Sequence, residues 1–257
     1  LASVLGADGA EIADNCKKVI PDLNLSIAKG LVNATKYSEA IERLKTTISV
    51  AEKFADADIL AEAKDILPKV VMQNAGALLN AKKYVEAAAA YKEVLDGDPT
   101  NGLAALRMGL ALNGAGKADE AKAALQTAAE NGQQTQAYKQ LTNIFLKEAA
   151  AALKGKDYAK AVKAAVTATE YDPKSSTAFQ IAGQGSQVLG KDSDAIKYFE
   201  KYLELAPTAK NATQIAFTVG ALYQKAKNNA KAVEYFQKAV NDPTLGEKAK
   251  TLINALK

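Results

Sequence analysis

The chain has 257 residues, 48% apolar and 24% charged, which is enough to bury a core unaided and too long for a disulfide-stapled mini-protein. The absence of histidine and the presence of a single cysteine, Cys16, exclude the common zinc sites, the Ser-His and Cys-His nucleophile pairs and any intramolecular disulfide. Thirty-three basic residues against 29 acidic give a net charge of +4, spread along the chain without the basic stripe that a nucleic-acid surface requires.

The chain begins at Leu1, and the run Leu1-Ala2-Ser3-Val4-Leu5-Gly6-Ala7 reads either as the tail of a removed leader or as a trimmed end. Together with the lack of disulfide needs, it leans the reading towards a bacterial periplasmic or secreted location. No segment reaches the roughly 18 uncharged apolar residues that cross a bilayer, so no integral membrane span is expected. Residues 11–20 are expected as an N-terminal capping helix within a segment 1–20, with Cys16 as a small buried hydrophobe. Beyond them, apolar residues recur at i, i+3 and i+4, as in Ala40, Leu44 and Thr47 or Ala121, Ala124 and Leu125, and alternation of period two is nearly absent. The chain therefore reads as all-helical.

Within that pattern a phrase recurs: Lys36-Tyr37-Ser38-Glu39-Ala40, Lys83-Tyr84-Val85-Glu86-Ala87, Lys117-Ala118-Asp119-Glu120-Ala121, Asp157-Tyr158-Ala159-Lys160-Ala161, Asp192-Ser193-Asp194-Ala195 and Asn229-Ala230-Lys231-Ala232. The spacing of the closing alanines is 34 residues, or 34 plus a short insert. In this the sequence resembles the tetratricopeptide repeat family. The resemblance implies an all-α, right-handed α-solenoid, a superhelix of antiparallel helix pairs. Six units follow, 21–54, 68–101, 102–135, 142–175, 176–209 and 213–246, the first being the poorest match, so the count is five to six. Unit position 8 is small throughout (Ala28, Ala75, Gly109, Ala149, Gly183, Gly220), and position 24 is large in five units (Leu44, Tyr91, Leu125, Phe199, Phe236). Close approach of helices from adjacent units is expected at these small residues.

Inserts before the second, fourth and sixth units (55–67, 136–141, 210–212) are expected to lengthen the helices that follow, with Pro68 inside or at the start of one. Asp98-Pro99, Asp172-Pro173 and Asp242-Pro243 are expected to stop second helices. The tail 247–257, with Leu252, Ile253 and Leu256 on one face, reads as a C-terminal capping helix.

In the family the first helix of each unit lines the concave groove. Uncharged runs fall on first helices here (70–81, 108–116, 175–190, 211–224), while second helices carry the charge. On the second helix of the fifth unit the pairs Lys197–Lys201 and Glu200–Glu204 are expected to repel. By the resemblance, the groove takes Lys69, Met72 and Gln73 from the second unit, and Leu106, Arg107, Leu110 and Asn113 from the third. The fourth contributes Asn143 and Lys147, the fifth Gln180, Gln184 and Gln187, and the sixth Gln214, Phe217 and Gln224. Amides donate and accept, so such a lining suits the backbone of an extended segment, with Met72, Leu106 and Phe217 as apolar anchors. The competing reading is that glutamine is a good helix former on a wet surface.

Of the cationic positions by which some family members hold acidic chaperone tails, only Arg107 and Lys147 are basic here, so that activity is not expected. Gly114-Ala115-Gly116-Lys117-Ala118 lacks the residues of a phosphate loop, and Asp96-Gly97-Asp98-Pro99-Thr100 lacks those of a calcium loop. Ser26-Ile27-Ala28-Lys29 stands without the partner motifs of serine acyl enzymes. Asn24-Leu25-Ser26, Asn33-Ala34-Thr35 and Asn211-Ala212-Thr213 fit the glycosylation pattern but lie in or beside expected helices. The sequence thus points to a non-enzymatic, cofactor-free scaffold for a protein or peptide ligand. Self-association is the main alternative, and a platform for glycan- or cell-wall-active complexes is a remote one.

Overall fold

The computed structural model describes residues 2–256, and within them the side chains of 11, 12 and 14–256. Leu1 lies outside the described residues, and so do the side chains of the opening run Leu1-Ala2-Ser3-Val4-Leu5-Gly6-Ala7. Among the described residues there are thirteen α-helices and no strand: α1 (Ala2–Asn33), α2 (Tyr37–Phe54), α3 (Ala57–Asn80), α4 (Tyr84–Gly97), α5 (Gly102–Gly114), α6 (Ala118–Ala128), α7 (Gln134–Lys154), α8 (Tyr158–Tyr171), α9 (Ser176–Val188), α10 (Asp192–Leu205), α11 (Ala212–Lys225), α12 (Asn229–Gln237) and α13 (Gly246–Ala255). They form an α-solenoid of helical repeats in two compact units, Leu1–Ala137 and Tyr138–Lys257.

In the first unit each helix packs on the next from α1 to α6, and the first helices α1, α3 and α5 also touch in series. In the second unit α7 and α8 share an alanine-rich core, and α8 to α13 pack in succession. The closing alanines of the recurring phrase, Ala40, Ala87, Ala121, Ala161, Ala195 and Ala232, are all fully buried. So are Thr47 and the large residues at unit position 24. Thr47 satisfies its hydroxyl by donating to the Arg43 carbonyl one turn back, at 2.8 Å.

The small residues at unit position 8 do their work inside a unit rather than between units. A Cβ added at Gly109 would stand 2.7 Å from Leu125, at Gly183 2.5 Å from Phe199, and at Gly220 2.7 Å from Phe236. Each of those large side chains comes from the second helix of the same pair. Close approach is thus needed where the pair folds back on itself, and the expectation of adjacent units is corrected. In the fourth unit both sides are small, Ala149 facing the same core as Ala165.

The turn inside each pair is made one way six times. The residue at unit position 15 is left-handed in every case: Thr35, Lys82, Gly116, Lys156, Gly190 and Lys227, with φ from 58° to 79°. The next residue's N–H then donates back to the sixth-last carbonyl, as Lys36 to Leu31 and Lys191 to Ser186 at 2.9 Å. Helices α4 and α8 end at Asp98-Pro99 and Asp172-Pro173, whereas α12 already ends at Gln237, ahead of Asp242-Pro243 and against the expectation; at all three pairs the aspartate accepts from the chain beyond the proline. Asp98 accepts from Thr100, Asp172 from Lys174, and Asp242 from Thr244 and Leu245. The third unit has no such proline. There α6 runs into a π-type turn, Ala129–Gln133, closed by left-handed Gly132.

The inserts 55–67 and 136–141 are absorbed into long first helices, α3 with 24 residues and α7 with 21, and Pro68 sits inside α3. The insert 210–212 instead lies mainly in the turn before α11, which stays at 14 residues, so no lengthening occurs there. Segment 11–20 continues α1 as helix with its described side chains exposed, in place of a packed cap. Cys16 is exposed on it, against the expectation of burial. At the other end α13 lays Ala249, Leu252, Ile253 and Leu256 against Phe236 and Ala239.

Candidate functional site

In the first unit the expected binding residues come from α3 and α5. Lys69 and Gln73 are exposed, Met72, Arg107 and Leu110 half-buried, and Asn113 exposed. Leu106 is 4% exposed and belongs to the core, so it offers no anchor to a ligand. Lys69 is held by Asp65, one turn earlier, at 2.6 Å. Met72 and Lys69 border a cavity of about 680 Å³ with Leu67, Pro68, Val71 and Val94.

Arg107 has a neighbour that the sequence does not announce. The Tyr91 ring, fully buried at the large position of α4, has a hydroxyl without a hydrogen-bond partner. That hydroxyl and the Arg107 guanidinium each lie 3.8 Å from the point where a Cβ on Gly76 would stand. Burial pushes the Tyr91 phenol above its ordinary pKa, and the adjacent Arg107 charge pulls it part of the way back. The hydroxyl can accept from the guanidinium as well as donate, but its oxygen is buried, so of the two only half-buried Arg107 is open to a ligand.

In the second unit α7, α9 and α11 carry the rest. Asn143, Lys147, Gln187 and Gln214 are exposed, while Gln180, Gln184 and Gln224 are half-buried. No hydrogen bond within the described residues engages these glutamine amides. Phe217 is half-buried and already occupied: its ring stands 5.1 Å from that of Phe236, and the Lys248 ammonium lies 5.5 Å away over its face. It is therefore a weaker anchor than its residue type suggests.

The second helices look different. Lys201 pairs with Glu204 at 2.8 Å, and Glu200 accepts from the hydroxyls of Tyr223 and Tyr235 at 2.7 and 2.9 Å. The repulsion expected within Lys197–Lys201 and Glu200–Glu204 is thus offset by the Lys201–Glu204 pair on the same helix and, for Glu200, by the tyrosines of α11 and α12. Among the possible glycosylation sites, Asn24 accepts from Arg43 and Asn211 from Tyr202.

Tetratricopeptide repeat family profiles match residues 78–144 and 213–241. Over these stretches the chain is built of tetratricopeptide repeats. Both matches fall on the helix pairs described above, with the small and large positions and left-handed turns in register. Tetratricopeptide repeats build protein-interaction scaffolds, and the chain has that construction. No curated protein matches it. Among solved structures, the MamA protein is 21% identical with a TM-score of 0.42, covering 70% of this chain and 94% of that one. YrrB, a tetratricopeptide repeat protein with an unusual peptide-binding site, is 20% identical with a TM-score of 0.38, covering 71% and 91%. The TPR2AB domain of yeast Sti1, in complex with pHSP90, is 14% identical with a TM-score of 0.39, covering 93% and 99%. Among the described residues no helix of this tetratricopeptide repeat chain is long and apolar enough to cross a membrane.

Proposed function

We propose that the chain is a non-enzymatic scaffold that binds an extended protein or peptide segment on its first helices. The observation that carries this reading is the set of glutamine amides on α9 and α11 that find no partner inside the protein. Each offers a donor and an acceptor to a backbone lying across it, and the stretches 176–188 and 212–224 that carry them hold no charged residue. In the first unit half-buried Arg107 supplies the polar anchor, with Met72 and Leu110 as apolar contacts on the first helices. Affinity then comes from modest contacts summed along the segment.

A photo-crosslinking residue at Gln184, compared with one at Lys163 on the exposed side of α8, tests this. The expected result is one dominant peptide or protein adduct at Gln184 and none at Lys163. Equal labelling at both sites overturns the reading. With the captured segment in hand, Arg107→Ala is expected to weaken binding about tenfold, the loss of one charge-assisted hydrogen bond.

One observation favours a second reading, self-association. Ile12, Val19, Leu23 and Ile27 form an exposed apolar stripe along α1, with Cys16 on the same face. If two copies cover each other there, sedimentation equilibrium shows a mass that rises with concentration and is returned to the monomer value by Val19→Glu. A monomer mass at all concentrations rejects it.

A further inference from the structure

We propose that the second-helix side of the last two repeats is a separate docking cleft, for an acidic protein segment that carries an apolar side chain. A cavity of about 730 Å³ opens between α10 and α12, walled by Phe179, Tyr198, Leu203 and Tyr235 and rimmed by lysines. It is absent from the repeat pattern. The unit position that holds Tyr198 and Tyr235 holds Ala90, Ala124 and Ala164 in the three preceding units, so the aromatic wall is a local departure.

The charges around it are unevenly spent. Glu204 is paired with Lys201, and Glu234, at the edge of the cleft, is paired with Lys231 at 2.8 Å. Glu200 is engaged by the hydroxyls of Tyr223 and Tyr235. Lys197 and Lys238 form no ion pair within 4 Å among the described residues, Lys238 acting on Glu234 only at longer range, and the Lys238 ammonium rests 4.1 Å over the Tyr235 ring. Cation–π contact leaves its N–H donors free on the outer side. Tyr198 and Phe179, both half-buried with ring centres 6.5 Å apart, give the apolar part of the surface. Two unspent cations beside an aromatic wall match a segment with acidic side chains flanking an apolar one. The cleft lies on α10 and α12, and its occupancy does not depend on the first-helix reading.

The probe is an acetylated hexapeptide alternating glutamate pairs with leucine, titrated into the 15N-labelled full chain, with its lysine counterpart as control. The expected result is a set of amide shifts confined to α10, α12 and the Phe179 turn of α9. The double variant Lys197→Glu/Lys238→Glu, both at exposed positions, is expected to weaken binding tenfold or more and Tyr198→Ala to weaken it severalfold, while Gln184→Ala on the first helix leaves it unchanged. Circular dichroism checks that each variant keeps its helix content. Absence of shifts on α10 and α12 at millimolar peptide, equal binding of the lysine control, or full affinity in the double variant each overturn the proposal.

Discussion

A Cβ placed on Gly183 would stand 2.5 Å from the Phe199 ring, a distance that real side chains do not adopt. Phe199 is itself buried to 1% exposure, so it cannot step aside without disturbing the pair α9–α10. Gly183→Ala is therefore expected to destabilise by about 1–3 kcal/mol, although alanine is the better helix former. Gly30 provides the opposite case within α1: it is exposed, and nothing lies within 4 Å of an added Cβ. Gly30→Ala is expected to stabilise by about 0.5–1 kcal/mol through helix propensity alone. Urea unfolding of both variants checks the contrast. Shrinking the partner in Gly183→Ala/Phe199→Leu should recover part of the loss, and no recovery would show that the close approach lies elsewhere.

The six left-handed turns carry the argument at the scale of the element. Four of them place a residue with a Cβ where glycine is preferred: Thr35, Lys82, Lys156 and Lys227. Lys82→Gly, Lys156→Gly and Lys227→Gly are each expected to add roughly 0.5–1 kcal/mol, because strain is removed from the folded state and outweighs the extra freedom of the unfolded chain. Whole repeats separate the three sites, so thermal unfolding of the triple variant should show their sum. A drop in melting temperature would mean that the lysine side chains make contacts worth more than the strain. These turns were poorly legible beforehand, since lysine gives no sign of a positive φ. Gly116 was readable as a turn, and the same unit position in its neighbours was not. Helix pairs and their register were legible because burial demands alanine and a large residue at fixed spacing, as at Ala195 and Phe199. The candidate site was readable only in part. Arg107 stood out as a groove cation, yet the Tyr91 hydroxyl beside it is supplied by a position the repeat reserves for core. Leu106 was misplaced because neighbouring positions on a helix differ in burial by less than the accuracy of an inherited register. On the outer side, Glu200 finds its tyrosines 23 and 35 residues away, beyond any helix-local pattern.

Across the whole molecule, the sequence holds ten tyrosines and no histidine, and this shapes how stability responds to pH. Histidine is the side chain whose ordinary pKa falls between about 5 and 8, so no such titration is available to shift stability through the neutral range. Of the carboxylates held below their ordinary values, Asp14, Glu234 and Glu247 are exposed and Asp242 half-buried, and the small stability they add is lost only as acid protonates them. The alkaline side differs. Burial and the carboxylate of Glu200 push Tyr223 up to about 12 and Tyr235 further still, and burial raises Tyr91 and Tyr198. Below the unfolded value of about 10 both states keep these protons, and the contribution of the phenols to stability is fully present. As pH rises past 10 the unfolded chain releases them first, and stability falls until the folded phenols also ionise. The melting temperature is therefore expected to be flat from about pH 6 to 9 and to decline steadily between about pH 10 and 12. Tyrosinate absorbance of the native chain should lag behind that of the urea-unfolded chain over the same interval. Tyr235→Phe removes one of the retained protons and should make the decline shallower. A fall in stability already between pH 6 and 9, or coincident tyrosinate titrations in the native and unfolded chain, would contradict the burial of these phenols against Glu200.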